Sequence, residues 1–495
     1  MARKIRFRYT GLVMFMSRVI SILTGLAFVT MVTRNVSLTE YGIWQYIVLL
    51  VSYFVFPNRT INYWVTRFVA RRFKVAKIGL MMNLIFSLIG FVVLFAISPF
   101  VAKLVNTDPL LFMVGSLIIP SMYLVAGCEA IAKGSSPHIN AYGFLTFEVT
   151  KVILGAITIL HMQIGIYGAL VSVLIAYIAQ ASFLLTNLRN YIREAHVDWN
   201  TASKWLRTGW IPLYSDLPPI LVSLDAMIVT MLTSSTEPIG LWKVGTTITQ
   251  VVGFSSLLTY ALYPKLLAGG SEEDVETALK LVLTFAIPSA IGALLLAEPL
   301  LWILGYQYRP AANILRMSIL SVLLASIGDI WNSIIIGTEK VDTKQLSFKR
   351  LLKSRLFLLP TLNYAKVFVY LPLVCIVTTT IISTHTEPVY LNVPFACNVM
   401  SLLTLIPIVT YTYRLAKGIL PFKFPLKSLA KYVLASMVLF IIIIPFYPRG
   451  FAGTITLITI SALAYFLILC AIDKDTRELV SQVISTFKMR YRAQP

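Results

Sequence analysis

Runs of about 20 apolar residues recur along the whole of this chain, and few folds can accommodate them. Each run, coiled as a helix at 1.5 Å per residue, is long enough to cross roughly 30 Å of hydrocarbon. About fourteen are legible, near 11–33, 43–58, 78–100, 110–132, 143–161, 164–187, 208–233, 238–264, 278–297, 311–337, 366–384, 391–413, 428–447 and 452–472. Of the 495 residues 58% are hydrophobic and 13% charged, far outside soluble globular usage. The longest interruption, about 338–365, is too short for a soluble domain. The expected fold class is therefore an all-α polytopic membrane protein. The first run follows the basic segment Met1–Tyr9 with no small-residue cleavage site, so it is expected to stay as a span.

A net charge of +21 raises the question of nucleic acid, and the distribution of the charge answers it. With an inward N-terminus, the cations fall in Arg3–Arg8, Arg59–Lys77, Arg189–Arg207, Lys340–Lys366, Arg414–Lys431 and Lys474–Arg492, all on the cytoplasmic side. The outer loops hold little beyond Arg34, Lys103, Arg309 and Arg449, about 34 inside against 4 outside. This is the positive-inside pattern. It predicts cytoplasmic termini, a multi-pass plasma-membrane protein and no nucleic-acid partner, with membrane lipids as the natural contacts of the basic loops. Tyr63–Lys77 and Leu346–Leu358 alternate apolar residues and cations at helical spacing and are expected to lie along the cytoplasmic interface.

The first two apolar segments repeat later in the chain. Aligning Thr10–Trp44 with Thr208–Trp242 makes Thr10, Gly11, Ser17, Ile22, Leu23, Leu26, Ser37, Gly42 and Trp44 identical to their partners, about nine matches in roughly 35 positions. Such internal symmetry is a property of transporters, whose similar halves rock about a central site. It divides the chain into two pseudo-symmetric six-helix lobes, 1–200 and 201–415, followed by 416–495 with two further spans and a basic tail. Pro212, Pro218 and Pro219 are expected to interrupt the seventh span, and Pro264 to end the eighth.

Ionisable residues inside the spans are Arg18, Glu129, Glu148, Lys151, Asp216, Asp225, Lys243 and Asp329, with Arg316 near an end. At a helix centre each costs about 2.5–3.5 kcal/mol on insertion scales, so each needs a partner, a wet cavity or an exit to the interface. Glu148 and Lys151, three apart, share a helix face and can neutralise one another. Arg18 aligns with Asp216, so the repeats carry opposite charges at equivalent positions. Either the two pair across the lobes, or Arg18 takes an anionic substrate while Asp216 handles a coupling proton or Na+. Asp216 and Asp225, nine apart, fall on opposite sides of a straight helix. Lys243 and Arg316 give the outer side cationic character, and Arg59 heads the inner basic run; all three join Arg18 as candidate substrate contacts. Asp216, Asp225 and Asp329 are the candidate coupling or gating residues.

No phosphate-binding glycine loop is present, the four histidines have no metal spacing, and Cys128, Cys375, Cys397 and Cys470 lie unpaired in apolar segments. Neither an enzyme nor a resident cofactor is expected. The sequon Asn35-Val36-Ser37 abuts a span, a poor acceptor position.

Three stretches resemble the polysaccharide flippases of the multidrug/oligosaccharidyl-lipid/polysaccharide exporter superfamily. Ser17-Arg18-Val19…Gly25 with Thr33-Arg34…Leu38-Thr39-Glu40-Tyr41-Gly42 is similar to that group's opening R-x-L-x-x-x-E-Y-G pattern, although Asn35 and Val36 follow the arginine here. Ile164-Gly165-Ile166-Tyr167-Gly168-Ala169 resembles its Y-G-I-x-G-A step with Gly and Tyr shifted. Leu301 through Leu315, with Gly305, Tyr308, Ala311 and Ala312, is similar to L-x-G-x-x-Y-x-x-A-x-x-x-L, and Ile336–Lys340 to the G-x-x-K that follows. The resemblance implies two lobes around a central cavity and two extra C-terminal helices. It implies alternating-access export of a polyprenyl- or dolichyl-(pyro)phosphate-linked oligosaccharide to the outer leaflet, the phosphate meeting Arg18. A cation-coupled multidrug antiporter of the same superfamily and a membrane-embedded glycan ligase or polymerase are the rival readings. The basic stretch 338–365 departs from the group's pattern.

Overall fold

A computed structural model describes residues 7–259, 262–267, 270–339, 354–448, 450–474 and 476–477; in the first helix, the side chains ahead of Ile20 lie outside the description. The described residues are helical, with no strand. In hydrocarbon no water is present to satisfy a bare N–H or C=O, and a helix pairs all of its own. The order is α1 (Phe7–Asn35), α2 (Leu38–Val55), α3 (Asn58–Ala70), α4 (Ala76–Leu104), α5 (Pro109–Ser116), α6 (Ile118–Ser135), α7 (Pro137–Gly155), α8 (Gly165–Arg193), α9 (Trp199–Thr208) and α10 (Trp210–Val222). It continues through α11 (Leu224–Thr233), α12 (Glu237–Gly253), α13 (Leu262–Leu267), α14 (Glu272–Leu295), α15 (Ala297–Leu304), α16 (Ala312–Gly337), α17 (Arg355–Ser383), α18 (Val389–Ile419), α19 (Leu426–Ile443) and α20 (Phe451–Ile472).

Among the described residues 12 helices are long and apolar enough to cross a membrane. α1, with 29 residues, and α12, with 17, stand where the remaining two of the fourteen expected spans were read. The chain forms two compact units, Met1–Gly240 with Val374–Tyr390, and Leu241–Leu373 with Leu391–Pro495.

In the first unit, α6 is flanked by α3, α4 and α8 around Ile61, Val65, Ile78, Met82, Ile131 and Leu184, all nearly inaccessible. α3 has the amphipathic character read from Tyr63–Lys77, but its apolar stripe of Ile61, Val65 and Val69 is spent on protein rather than lipid. At 13 residues it is too short to cross. Of Leu346–Leu358, residues 346–353 lie outside the described set. Glu148 and Lys151 pair at 3.0 Å on α7, as their spacing predicts. The pair also reaches α1: Thr24 Oγ1 donates to Glu148 Oε2 at 2.5 Å, and Lys151 Nζ sits 4.8 Å from the Phe147 ring centre and 5.6 Å from that of Phe28.

In the second unit Trp331 of α16 stacks on Phe422 at 5.1 Å, within a core that includes Leu279, Val282, Ile330, Ile334 and Val409. Trp242 Nε1 donates to Asn398 Oδ1 at 2.8 Å, and Asn398 Nδ2 to Ser318 Oγ at 2.7 Å, which satisfies an otherwise costly buried amide. One expectation needs correcting here: Pro264 does not end the eighth span. α12 stops at Gly253 and passes into a 3-10 segment, Phe254–Thr259, and Pro264 lies inside the short α13. Ser255 and Ser256 hydroxyls donate to the Val252 and Gly253 carbonyls at 2.8 and 2.9 Å, competing with helix continuation.

Candidate functional site

The seventh span breaks where its prolines predict a break, and the break is tied to a second helix. Pro218 and Pro219 have no N–H, so α10 loses two of its ladder donors. The helix gives way at Ser223 before α11 restarts at Leu224. Tyr53 of α2 donates its hydroxyl to the Ser223 carbonyl at 2.7 Å, taking the acceptor that a continuous helix would have used. Ser223 Oγ lies 3.3 Å from the same tyrosine oxygen.

Around this break the structure collects three of the candidate residues. Arg59, in the first turn of α3, faces Asp216 of α10 with Nη1 and Oδ2 3.9 Å apart. Their side chains are 53% and 41% exposed, so the pair is wet and loosely closed. Such a pair is worth about 0–1 kcal/mol and its members are readily exchanged. Asp225, nine residues on and across the break, is buried and accepts from the Ala226 N–H at 2.6 Å. The two acids therefore occupy different surroundings. Arg18 lies on α1, but its side chain is outside the described residues; the partner that Asp216 shows is Arg59.

At the opposite end of α2 the two sequence repeats touch. Leu38, Thr39 and Gly42 align with Thr236, Glu237 and Gly240, an offset of 198 residues. Thr39 Oγ1 donates to Glu237 Oε1 at 3.0 Å, and Thr236 Oγ1 donates to the Thr39 carbonyl at 3.1 Å. A Cβ on Gly42 would collide with the Thr236 carbonyl oxygen, and one on Gly240 would stand 3.0 Å from that of Leu38. Both glycines are needed for the first turns of α2 and α12 to cross this closely.

The second unit keeps its candidates apart. Lys243 is half-buried on α12, its carbonyl accepting from Thr246 and Thr247 at 3.0 and 2.8 Å. Arg316 Nη1 donates to Asn313 Oδ1 at 2.9 Å, and its Nε approaches the Leu294 carbonyl at 3.5 Å. Asp329 is exposed on the same α16, 13 residues and so roughly 20 Å further along. Among the described residues neither Lys243 nor Asp329 makes an ion pair, and no group of three or more His, Cys, Asp or Glu is placed to hold a metal.

Sequence reasoning missed Tyr53 and the roles of Gly42 and Gly240. The glycines carried a signal, identity between the repeats; Tyr53, one of 24 tyrosines in the chain, carried none.

No protein-family model matches the chain, and no curated protein does. Solved structures do. A structure of the lipid II flippase MurJ in an inward closed conformation superposes with a TM-score of 0.65 at 12% identity, covering 95% of this chain and 99% of that one. An inward-facing multidrug resistance MATE transporter of the MOP superfamily gives 0.55 at 14% identity over 81% and 95%. The chain shares the fold of these two transporters. The Vibrio cholerae MATE transporter VcmN, as its D35N mutant, adds a TM-score of 0.52 at 13% identity over 83% and 98%. These MOP-fold neighbours are transporters and flippases rather than enzymes.

Proposed function

We propose that this chain is a flippase for a polyprenyl- or dolichyl-(pyro)phosphate-linked oligosaccharide, moving it from the cytoplasmic to the outer leaflet of the plasma membrane by alternating access. The observation that carries the reading is the Arg59–Asp216 pair at the basic end of the first unit. A guanidinium presents a fork of donors that matches phosphate geometry. Here it is exposed and held by a single distant carboxylate, so an incoming phosphate can displace Asp216 at little cost. The fold shared with a lipid II flippase supports a lipid-linked substrate, and the cationic entry is less suited to a cationic drug.

In this reading the phosphate loads at Arg59, with Arg18 deeper in the same lobe as its next contact. The halves 1–200 and 201–415 then rock, the crossing at Gly42 and Gly240 parts, and release passes Lys243 and Arg316. A proton or Na+ taken by Asp216, freed from Arg59, or by Asp225 or Asp329 resets the cycle. The two helices of 416–495 flank the second lobe. The test is made on a strain lacking the protein, with lipid-linked glycans quantified by mass spectrometry and assigned to a membrane face. Accumulation on the cytoplasmic face, restored to normal by wild-type chain and not by Arg59→Ala, is the expected result. Normal glycans with altered sensitivity to cationic drugs would replace the reading with an antiporter.

A further inference from the structure

The lipid-facing side of the first unit carries a groove of about 490 Å³ where α4 and α8 splay over α6. Its floor is Pro120, Ser121 and Leu124; Leu84 and Ile178 stand on its walls, 57% and 50% exposed. Three serines line it, yet it offers no free hydroxyl donor. Ser87 donates to the Leu84 carbonyl at 2.7 Å, Ser121 to those of Leu117 and Ile118 at 3.1 Å, and Ser182 to that of Ile178 at 2.9 Å. With those protons turned back into their own helices, the surface is apolar.

The length and direction of the groove are informative. Along α8 it runs from Leu174 to Leu185, 11 residues or about 16 Å, which is half of a hydrocarbon core of roughly 30 Å. It therefore has the depth of one leaflet. The helical steps 174, 178, 182, 185 lead on to Arg189, and on α4 the steps 87, 84, 80 lead back to Lys77, so both cations continue the faces that wall the groove. Lys77 Nζ lies 3.5 Å from the Arg193 carbonyl, which draws the basic ends of α4 and α8 together. At this rim Glu194 is engaged by Lys74 at 3.8 Å, and Glu129 of α6 is engaged by Lys133 at 3.7 Å and by Gln180 of α8 at 3.0 Å.

We infer that this groove is a binding site for one anionic phospholipid, an acyl chain lying against α4, α6 and α8 and its phosphate held between Lys77 and Arg189. The occupant is a bilayer phospholipid and not the transported substrate, because the groove ends at single-leaflet depth and a polyprenyl chain far exceeds it. The site is independent of the proposed transport reading. A bound lipid here would brace α4 against α8 without entering the Arg59 site.

The full chain, purified in detergent and exchanged against palmitoyl-oleoyl phosphatidylglycerol or the matching phosphatidylcholine, tests this by native mass spectrometry. Wild type should retain one phosphatidylglycerol in preference to phosphatidylcholine by about thirtyfold, two cations' worth of attraction. Lys77→Gln with Arg189→Gln should remove that preference, and Ser182→Trp, which fills the groove from an exposed position, should lower retention of both lipids. Unchanged retention in both variants would overturn the assignment. So would an equal loss on Arg71→Gln with Arg72→Gln in the neighbouring turn, because bulk surface charge would then explain the binding. Stronger retention of a polyprenyl phosphate than of phosphatidylglycerol would also overturn it, by placing the groove on the substrate's path.

Discussion

At the scale of single residues, what distinguishes the charges of this chain is how firmly each is held. Arg59 and Asp216 are wet and 3.9 Å apart, so removing either leaves no buried orphan. Arg59→Ala should therefore leave thermal stability in detergent within about 1 kcal/mol of wild type. Transport should fall by about tenfold or more, the loss of a charge-assisted contact to phosphate, with Arg59→Lys intermediate. Flipping measured in reconstituted vesicles checks both; full activity in the alanine variant would remove Arg59 from the site. Glu148 and Lys151 are the opposite case, with side chains only 5% and 11% exposed. Lys151→Met strands the carboxylate beneath Thr24 and should cost about 3–5 kcal/mol, seen as a fall in melting temperature. Adding Glu148→Gln, which removes the stranded charge and keeps an acceptor for Thr24, should recover most of that loss. The i,i+3 spacing made this pair legible from sequence. Its reach to α1 was not, because a hydrogen bond 124 residues away leaves no trace in local periodicity.

At the scale of elements, length and apolarity located the spans, while the irregularities needed long-range information. The break after Pro218 and Pro219 was legible in kind, since proline removes ladder donors; that it falls at Ser223 depends on Tyr53 arriving from α2. The early stop of α12 was not legible, because Ser255 and Ser256 are tolerated in many membrane helices. The crossing of α2 with the first turn of α12 offers a direct test. Gly42→Val places branched carbon against the Thr236 carbonyl and should pry the two turns apart. On a background with the four native cysteines replaced, Ser37→Cys should label with a membrane-impermeant thiol reagent several times faster in Gly42→Val than without it. Equal rates would show that the glycines do not hold this end closed. A second tie, between α19 and the end of α20, makes a pH prediction. Asp473 is buried, which raises its carboxyl pKa, but hydrogen bonds from Lys431 at 2.9 Å and Thr476 at 2.7 and 3.1 Å outweigh that and hold it below its ordinary 3.8. A depressed folded-state pKa stabilises above the unfolded value and is lost as pH falls through the folded one. Melting temperature should thus drop more steeply between about pH 5 and about pH 3 in wild type than in Asp473→Asn.

At the scale of the whole molecule, fold and site were unequally legible for a physical reason. A span must be apolar along its entire length, so about twenty residues report the same fact, and the internal repeat reports it twice. A substrate contact is one residue, and its meaning depends on what is opposite it. Arg18 and Asp216 were matched by symmetry, yet the carboxylate of Asp216 faces Arg59, which was read from sequence chiefly as a topology signal. In the proposed reading both roles fit one residue, because cations that hold a loop inside are also the first that an anion meets there. In that reading the direction of transport rests on the orientation of the chain, and that can be measured without any substrate. The turns at Asn106 and His385 lie at one end of the expected helix alternation, and Lys204 with Phe422 at the other. Alkaline phosphatase, active only outside, should be active when fused after Asn106 or His385 and inactive after Lys204 or Phe422. The reverse pattern would put Arg59 on the outer face, and a site that loads there could not export from the cytoplasmic leaflet.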